Sequence, residues 1–343
     1  MTLSATFDAM LDAQIRKGNG HGILLSVQSG DGRIGYLGGA GQADPWMPFP
    51  IASITKLFTA TLVLQLVDEG RLRLEDRVQD LIAHVDLAGL HVVKGVDHGP
   101  TLTVRHLLHQ TSGLADYYAR DVAHDLKRCE DRAYDLADVL EMTRALPPQA
   151  APDSGRSHYS DTNFQLLGAL IEAVTGQSYA RAVQTRICAP LGLRQTGVLR
   201  GEDSGLAIYH GTRPLRIPRT LRSMGPDGGI VSTLEDMRVF LRAFMAMELF
   251  SAARGAEMRR WNRLFFPFQY GLGLMRVKLP RWMTLFRQTP ELIGHSGASG
   301  TFAFHAPAPD ITLIGTFNQT DAPRRPVAFM FEVLRACAAR EVA

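Results

Sequence analysis

The sequence is short of lysine and cysteine, and it has no long run of apolar residues. Its 37 basic residues include only five lysines, which are Lys17, Lys56, Lys94, Lys127 and Lys278. The three cysteines lie far apart and form no CxxC pair, so neither a zinc knuckle nor a disulfide framework is indicated, and we expect reduced thiols. No window approaches the roughly 18 apolar residues of a membrane-spanning helix, so we expect no membrane span.

The sequence also has no large excess of basic over acidic residues. The 37 basic and 34 acidic residues leave a formal net charge of +3 with no single basic block, which argues against nucleic-acid binding. The first residues lack the basic and apolar regions of a secretory signal and instead predict an amphipathic helix that ends near Lys17. From these features we expect a cytoplasmic protein; they say nothing about its oligomeric state.

The composition that remains is that of a globular protein. The 343 residues are 45% hydrophobic, 21% charged and 8% aromatic, which suits about two domains or one large one. Strand patterns lie near both ends, and a helical, loop-rich block separates them. We therefore predict an α+β fold: a discontinuous domain of residues 1–75 and 226–343 around an antiparallel sheet flanked by helices, with a mainly helical domain of residues 76–225 inserted. A cleft between the two domains is the expected site.

Individual elements follow from periodicity and from turn residues. A hairpin is predicted from His21 to Leu37 around the turn Gly30–Arg33, and a helix over residues 53–69. Residues 199–230 are rich in Gly, Pro and Arg and predict a long loop. The pattern Ser232–Glu235 predicts a capping box that opens a helix. Later strands are predicted at residues 270–278, 291–296, 301–306 and 311–317.

The first chemical signal is the pair Ser53 and Lys56, which stand three residues apart on one helix face. A serine hydroxyl needs a base before it becomes a nucleophile, and a lysine can serve when burial or a neighbouring cation lowers its pKa. The free N–H groups of the first helical turn can hold a developing oxyanion. A lysine one turn after a capping serine is the structural alternative.

The second signal is Tyr159-Ser160-Asp161, just before a predicted helix. A tyrosine beside a cationic lysine ionises more easily and can act as a general base. Asp161 is a candidate to orient Lys56 or a substrate N–H. An aspartate that caps the helix is the structural alternative.

The third signal is His295-Ser296-Gly297-Ala298, at the end of a predicted strand. A cation or donor at His295 is expected across the cleft from Ser53. Gly297 lets a substrate approach the strand edge closely, and the N–H of Ala298 is a candidate second oxyanion donor.

Together the three motifs resemble the serine β-lactamase and penicillin-binding-protein superfamily. The branch with Y-x-N and K/H-[S/T]-G motifs is the most similar: class C β-lactamases, D-Ala-D-Ala carboxypeptidases and family VIII carboxylesterases. The stretches 107–114, 159–168 and 228–236 also resemble the family, and the resemblance covers roughly residues 20–335.

The resemblance implies a β-lactamase-like fold and acyl transfer through an acyl-enzyme on Ser53. Lys56 and Tyr159 would share the proton transfers, and the N–H groups of Ser53 and Ala298 would form the oxyanion hole. Asp161 takes the place where the family often has Asn, and His295 takes the Lys/His place. No metal and no organic cofactor are implied.

Both departures favour substrates without a carboxylate. Asp161 adds a potential negative charge where an amide would stand, and His295 carries a less certain positive charge than a lysine. We therefore expect a serine hydrolase of small or medium acyl esters. The alternatives are a D-amino-acid amidase, a D-Ala-D-Ala carboxypeptidase or a β-lactamase. Its expected partner is a small-molecule ester or amide.

Three other hypotheses compete with this one. Residues Gly294–Ala298 nearly match a G-x-S-x-G elbow with Ser296 as nucleophile, but that elbow requires a following helix, and the residues after it predict a strand. A metal site would have to use the scattered histidines, which form no HExxH pattern. A catalytically dead scaffold of the same fold would be expected to have lost Ser53, Lys56 or Tyr159.

Overall fold

One antiparallel sheet of eight strands organises the computed structural model, which describes residues 2–280, 289–321 and 325–341. The strands of that part of the chain are β1 (Gly22–Ser29), β2 (Gly35–Gly41), β3 (Phe49–Pro50), β4 (Val92–Val93), β5 (Val96–Asp97), β6 (Gly197–Val198), β7 (Ile208–His210), β8 (Arg213–Leu215), β9 (Ile230–Ser232), β10 (Asn262–Arg263), β11 (Phe268–Tyr270), β12 (Met275–Val277), β13 (Leu292–Ser296), β14 (Thr301–Ala306) and β15 (Ile311–Thr316).

Helices cover both faces of this sheet and fill the middle of the chain. Within the described ranges the α-helices are α1 (Leu3–Arg16), α2 (Thr55–Asp68), α3 (Val78–Leu81), α4 (Val104–Leu108), α5 (Ala123–Arg128), α6 (Leu136–Arg144), α7 (Asp161–Thr175), α8 (Tyr179–Val183), α9 (Ala189–Leu191), α10 (Pro218–Ser223), α11 (Leu234–Met245), α12 (Gly255–Met258) and α13 (Arg325–Glu341). Short π-helical segments at Tyr118–Val122 and Gln184–Cys188 adjoin α5 and α8.

The main sheet joins the two ends of the chain. Its order is β10-β11-β12-β13-β14-β15-β1-β2, and β1 pairs with β15 in a register that sets Leu24 opposite Thr316. All of these pairings are antiparallel, so the predicted α+β fold with an antiparallel sheet is confirmed. The predicted division into two domains stays a prediction.

Each face of the sheet carries its own core because side chains alternate along a strand. From β1, Ile23 and Leu25 enter a cluster with residues of α1 and α13, whereas Leu24 enters the larger cluster with α2 and α11. Helix α2 is apolar on all sides and almost wholly buried, which makes it the central helix of the larger core. The packing of this core therefore holds the first turn of α2 in place.

Three local predictions differ from the structure. Part of the predicted 199–230 loop forms the β7–β8 hairpin, whose turn uses Gly211 at φ +61°, and helix α10, which starts at Pro218. The cap of α11 is Thr233, whose hydroxyl accepts from Asp236 N, one residue later than the predicted capping box. The predicted strand over residues 270–278 is divided: Tyr270 ends β11, and Met275–Val277 form β12, which pairs with β11.

Candidate active site

Ser53 lies in a short 3-10 turn, Ala52–Ile54, that leads directly into α2. Two neighbours anchor the residue before this turn: Ile51 N donates to Ile230 O, and Thr301 Oγ1 donates to Ile51 O. Ala52 adopts φ +48°, a left-handed conformation that a non-glycine residue rarely takes, and this bend directs the chain into the helix. The half-buried Ser53 side chain is thereby held at the edge of the interior.

Lys56 follows Ser53 by one helical turn and is fully buried. Its ammonium has three acceptors within reach: Ser53 Oγ at 3.2 Å, Asp161 Oδ1 at 2.5 Å and Asp227 O at 2.7 Å. An ammonium has three N–H donors, so this arrangement satisfies the protonated lysine completely. Burial lowers the pKa of Lys56, but the charges of Asp161 and Asp227 outweigh burial and leave the pKa raised. The resting lysine is therefore a cation.

Tyr159 completes a cluster with Ser53 and Lys56. The phenol hydrogen-bonds the Ser53 side chain, and Lys56 Nζ lies 5.2 Å from the centre of the Tyr159 ring. Burial and the Asp161 carboxylate raise the pKa of Tyr159 well above its usual range, although the bond to Ser53 opposes them. The resting tyrosine is therefore neutral, whereas the sequence led us to expect an easily ionised one.

Asp161 is the first residue of α7, and Ser160 occupies the cap position before it. The Asp161 carboxylate does not cap the helix; it pairs with Lys56, and both side chains are almost wholly buried. The Asp161 N–H donates to Asp116 Oδ1 at 3.0 Å. The structure thus brings Ser53, Lys56, Tyr159 and Asp161 together from two helices and the loop before α7.

His295 lies in β13 with its ring centre 6.3 Å from that of Tyr159, and it is completely buried. Nδ1 donates to Ser296 O at 2.7 Å, which leaves Nε2 to accept from the Tyr270 hydroxyl at 3.2 Å. Burial, with help from the charge of Lys56, lowers the pKa of His295 to about 3. His295 is thus a neutral ring that holds Tyr270 and the strand end, and the cation expected at this motif is not formed.

The turn after β13 brings Gly297 against the segment that leads into Ser53. A Cβ on Gly297 would lie only 2.8 Å from Ala52 Cβ, so glycine is what allows this close approach. Ala298 is exposed at the turn. Ser296 Oγ contacts Met275 Sδ at 3.6 Å, and β14, rather than a helix, follows the motif. The strand–turn–helix context of a G-x-S-x-G elbow is therefore absent at this motif.

Sequence reasoning missed two carboxyl groups of this site, Asp116 and Asp227. Burial and the Asp161 charge raise the pKa of Asp116 to about 7. Burial, followed by the Asp161 charge, also raises the pKa of Asp227, to about 8. Asp227 stands in the sequence Gly225-Pro226-Asp227-Gly228-Gly229, a turn-like stretch in which nothing distinguished the aspartate from an ordinary turn residue.

Carboxyl groups outnumber cationic side chains among the residues described around Ser53. One lysine faces the carboxyl groups of Asp116, Asp161 and Asp227, and the imidazole of the third motif is neutral. Like charges at close range disfavour joint ionisation, so protons remain on part of this carboxyl set at neutral pH. Each of these carboxyl groups that ionises would repel an anionic group on a substrate.

The histidines considered for a metal site contact a helix cap, a carboxylate or another histidine. His106 Nδ1 accepts from Thr103 N and so helps to cap α4, and its Nε2 lies 3.0 Å from Asp153 Oδ2. His91 is buried with its ring centre 5.7 Å from that of His98.

No helix within the described ranges combines the length and apolarity needed to cross a bilayer.

A family model described as Beta-lactamase matches residues 7–336, and the chain belongs to that family. The resemblance stated from the motifs is thereby confirmed. Among curated proteins, the chain is 34% identical over 228 residues to penicillin-binding protein 4 of Amycolatopsis lactamdurans. It is 30% identical over 228 residues to esterase EstB of Burkholderia gladioli. Each match covers 62% of this chain and 56% of the relative, so the chain spans about half the length of these relatives.

Solved structures support the fold across almost the whole chain. A D-stereospecific amidohydrolase from a Streptomyces species is 30% identical, with a TM-score of 0.77. That match covers 92% of this chain and 94% of the amidohydrolase. The predicted β-lactamase-like fold is therefore confirmed.

Proposed function

We propose that this protein is a serine hydrolase that forms an acyl-enzyme on Ser53 and prefers carboxylic esters of small or medium acyl chains. The observation that carries the proposal is the contact between the Lys56 ammonium and the Ser53 hydroxyl, with Tyr159 bonded to the same hydroxyl. A nucleophile and its base within hydrogen-bond reach, with a third group orienting the base, is the arrangement that acyl transfer requires.

The resting protonation states define how the nucleophile becomes active. Lys56 is a cation and Tyr159 is neutral, so neither is a ready base. Asp161 Oδ1, 2.5 Å from Lys56 Nζ, can take a proton from Lys56 as Lys56 takes the Ser53 proton. The Ser53 Oγ–acyl bond then forms while the bond to the leaving alcohol breaks, and the protonated groups return a proton to the alcohol oxygen. Water repeats the sequence and releases the acid.

The backbone N–H groups of Ser53 and Ala298 are our candidates for the oxyanion hole. The close approach of Gly297 to Ala52 brings the two segments that carry these N–H groups together. Donors fixed in place before the reaction stabilise the charge that develops on the carbonyl oxygen.

The acidic balance of the site supports an ester over a lactam or a D-Ala-D-Ala peptide, because those substrates carry a carboxylate. A second candidate follows from the same observation: an amide of a D-amino acid carries an ammonium that these carboxyl groups would attract. The similarity to a D-stereospecific amidohydrolase supports that candidate. The cytoplasmic location expected from the sequence stays a prediction.

The test is hydrolysis of p-nitrophenyl butyrate by wild type and Ser53→Ala, with D-phenylalanine amide and nitrocefin assayed in parallel. We expect wild type to turn over the ester fastest and Ser53→Ala to be inactive. Full activity in Ser53→Ala would exclude Ser53 as the nucleophile and return attention to Ser296. Faster turnover of the amide would favour the second candidate, and inactivity on all three would favour a scaffold of this fold.

A further inference from the structure

Asp227 is a fully buried residue whose main chain and side chain point to two different partners. Its main-chain carbonyl accepts from Lys56 Nζ at 2.7 Å. Its carboxyl Oδ2 accepts from the Tyr117 hydroxyl at 2.7 Å and from Gln165 Nε2 at 3.0 Å. One residue thus connects the lysine of the site with a loop residue and with helix α7.

Helix α7 holds the loop of Asp227 through one continuous face. Asp161, Gln165 and Gly168 are spaced i, i+4 and i+7, so they lie on the same side of the helix. Asp161 contacts Lys56, Gln165 contacts the Asp227 carboxyl, and Gly168 allows Pro226 to lie against the helix. From the side of α2, Thr59 Oγ1 donates to Pro226 O at 2.6 Å. Contacts with α7 and with α2 therefore hold the loop that carries the Asp227 carbonyl.

We infer that Asp227 is a positioning residue for Lys56: its clamped carboxyl fixes the carbonyl that holds the ammonium and, when ionised, places a second negative charge beside the ammonium. The inference rests on the proposed role of Lys56 in proton transfer. Two of the three acceptors around Lys56 then belong to aspartates, one through its carboxylate and one through its main chain. Removing the carboxyl of Asp227 should change both the place and the proton affinity of the lysine.

Among the groups around Lys56 and Asp227 whose pKa is shifted by burial, all but one titrate well away from Asp227. Burial raises the pKa of each nearby phenol, and the pKa of His295 is lowered to about 3. The exception is Asp116, whose pKa of about 7 is lower than the value of about 8 for Asp227. The groups around the pair are Asp116, Asp161, Tyr117, Tyr118, Tyr159, Tyr179, Tyr270 and His295.

The test is the rate at which a p-nitrophenyl phosphonate labels Ser53 between pH 6 and pH 10, followed by intact mass. In this reaction Ser53 Oγ bonds to phosphorus and p-nitrophenolate leaves, so the assay reports activation of the nucleophile without a choice of acyl substrate. Asp227→Asn keeps the size and an acceptor for Tyr117 but removes the charge. We expect it to reach a given labelling rate at a pH lower by on the order of one unit, because the pKa of Lys56 falls when a nearby negative charge is lost.

Three further variants separate the two parts of the inference. Asp227→Ala leaves the loop carbonyl without its clamp, and we expect labelling about 100-fold slower at every pH because a displaced base loses its alignment. Tyr117→Phe removes one donor to the carboxyl, and we expect a smaller pH shift in the same direction as for Asp227→Asn. Asp236→Asn is the matched control, because its carboxyl accepts from Gln195 N and Thr196 Oγ1 away from Lys56; we expect wild-type labelling.

Each outcome decides between the inference and the proposed function. Labelled wild type, with the same pH dependence in Asp227→Asn and Tyr117→Phe, would overturn the inference alone. Wild type that is never labelled at Ser53 would overturn the proposed function and the inference with it. A pH shift of equal size in Asp236→Asn would show a general effect of charge, and would also overturn the inference.

Discussion

Lys56 Nζ and Asp161 Oδ1 lie 2.5 Å apart, and almost no surface of either side chain reaches solvent. Burying a charge is costly unless a partner compensates it, so the Asp161 carboxylate stabilises the buried ammonium of Lys56. Asp161→Asn would remove this negative charge and leave the Asp227 carboxyl as the other acidic group that acts on the ammonium.

Asp161→Asn should therefore change substrate preference. We expect the ratio of activity on a carboxylate-bearing β-lactam to activity on a neutral ester to rise about tenfold, because one negative charge leaves the site. The measurement is kcat/KM for nitrocefin and p-nitrophenyl butyrate with each protein. Asp236→Asn is again the control, and an unchanged ratio in Asp161→Asn would show that Asp161 does not set charge preference.

Lys56→Ala and Tyr159→Phe should each slow acylation by about 1,000-fold, the size of effect that a proton-transfer group commonly contributes. Both side chains contact the Ser53 hydroxyl directly. Single-turnover kinetics with p-nitrophenyl butyrate measure acylation separately from release. Tyr209→Phe is a matched control, because its phenol donates to Gln42 Oε1 rather than contacting Ser53. A wild-type acylation rate in Tyr159→Phe would remove Tyr159 from the proton path.

Gly168→Ala should weaken both stability and activity. An added Cβ would lie 2.7 Å from Pro226 Cβ, and the displaced loop carries the carbonyl that holds Lys56. Overpacking of this kind costs about 1–3 kcal/mol of unfolding free energy. Urea unfolding and kcat/KM test the two effects. Gly197→Ala, where an added Cβ meets nothing within 4 Å, should leave both unchanged; equal losses in the two variants would contradict the role of this contact.

His109 should make stability depend on pH. Burial, with help from Arg105, lowers the pKa of His109 to about 4, whereas the unfolded chain titrates near 6.5. Between those two pH values the unfolded state binds more protons than the folded state, so acidification lowers the free energy of unfolding. Above pH 6.5 His109 is neutral in both states, and this loss of stability is absent.

The comparison with His109→Gln isolates that contribution. Between pH 7 and pH 5, wild type should lose about 2 kcal/mol of unfolding free energy relative to the variant, because 1.5 pH units separate pH 5 from the unfolded pKa. Denaturant unfolding of both proteins at the two pH values provides the measurement. A difference between the proteins that does not vary with pH would show that the pKa of His109 is the same in the folded and the unfolded chain.

Much of the architecture was predictable because its causes are local. The hairpin of β1 and β2, the helix after Ser53 and the strands β13 to β15 each carry a period or a turn signal of their own. The β7–β8 and β10–β11 hairpins were not predicted. Their strands are two or three residues long, too short to show a period, and contacts with distant segments add to the local pairing, as when Tyr209 N donates to Asn318 O.

The fold class, the family and the motifs of Ser53, Tyr159 and His295 could be predicted without a structure, because spacing within a motif is a property of the chain. Which side chains meet around Lys56 depends on how the chain folds. Asp227 stands 171 residues from Lys56 and Asp161 stands on another helix, so no local pattern records their contact. Burial decided the charge states as well, since it makes His295 neutral, keeps Tyr159 protonated and raises the pKa of Asp227 to about 8.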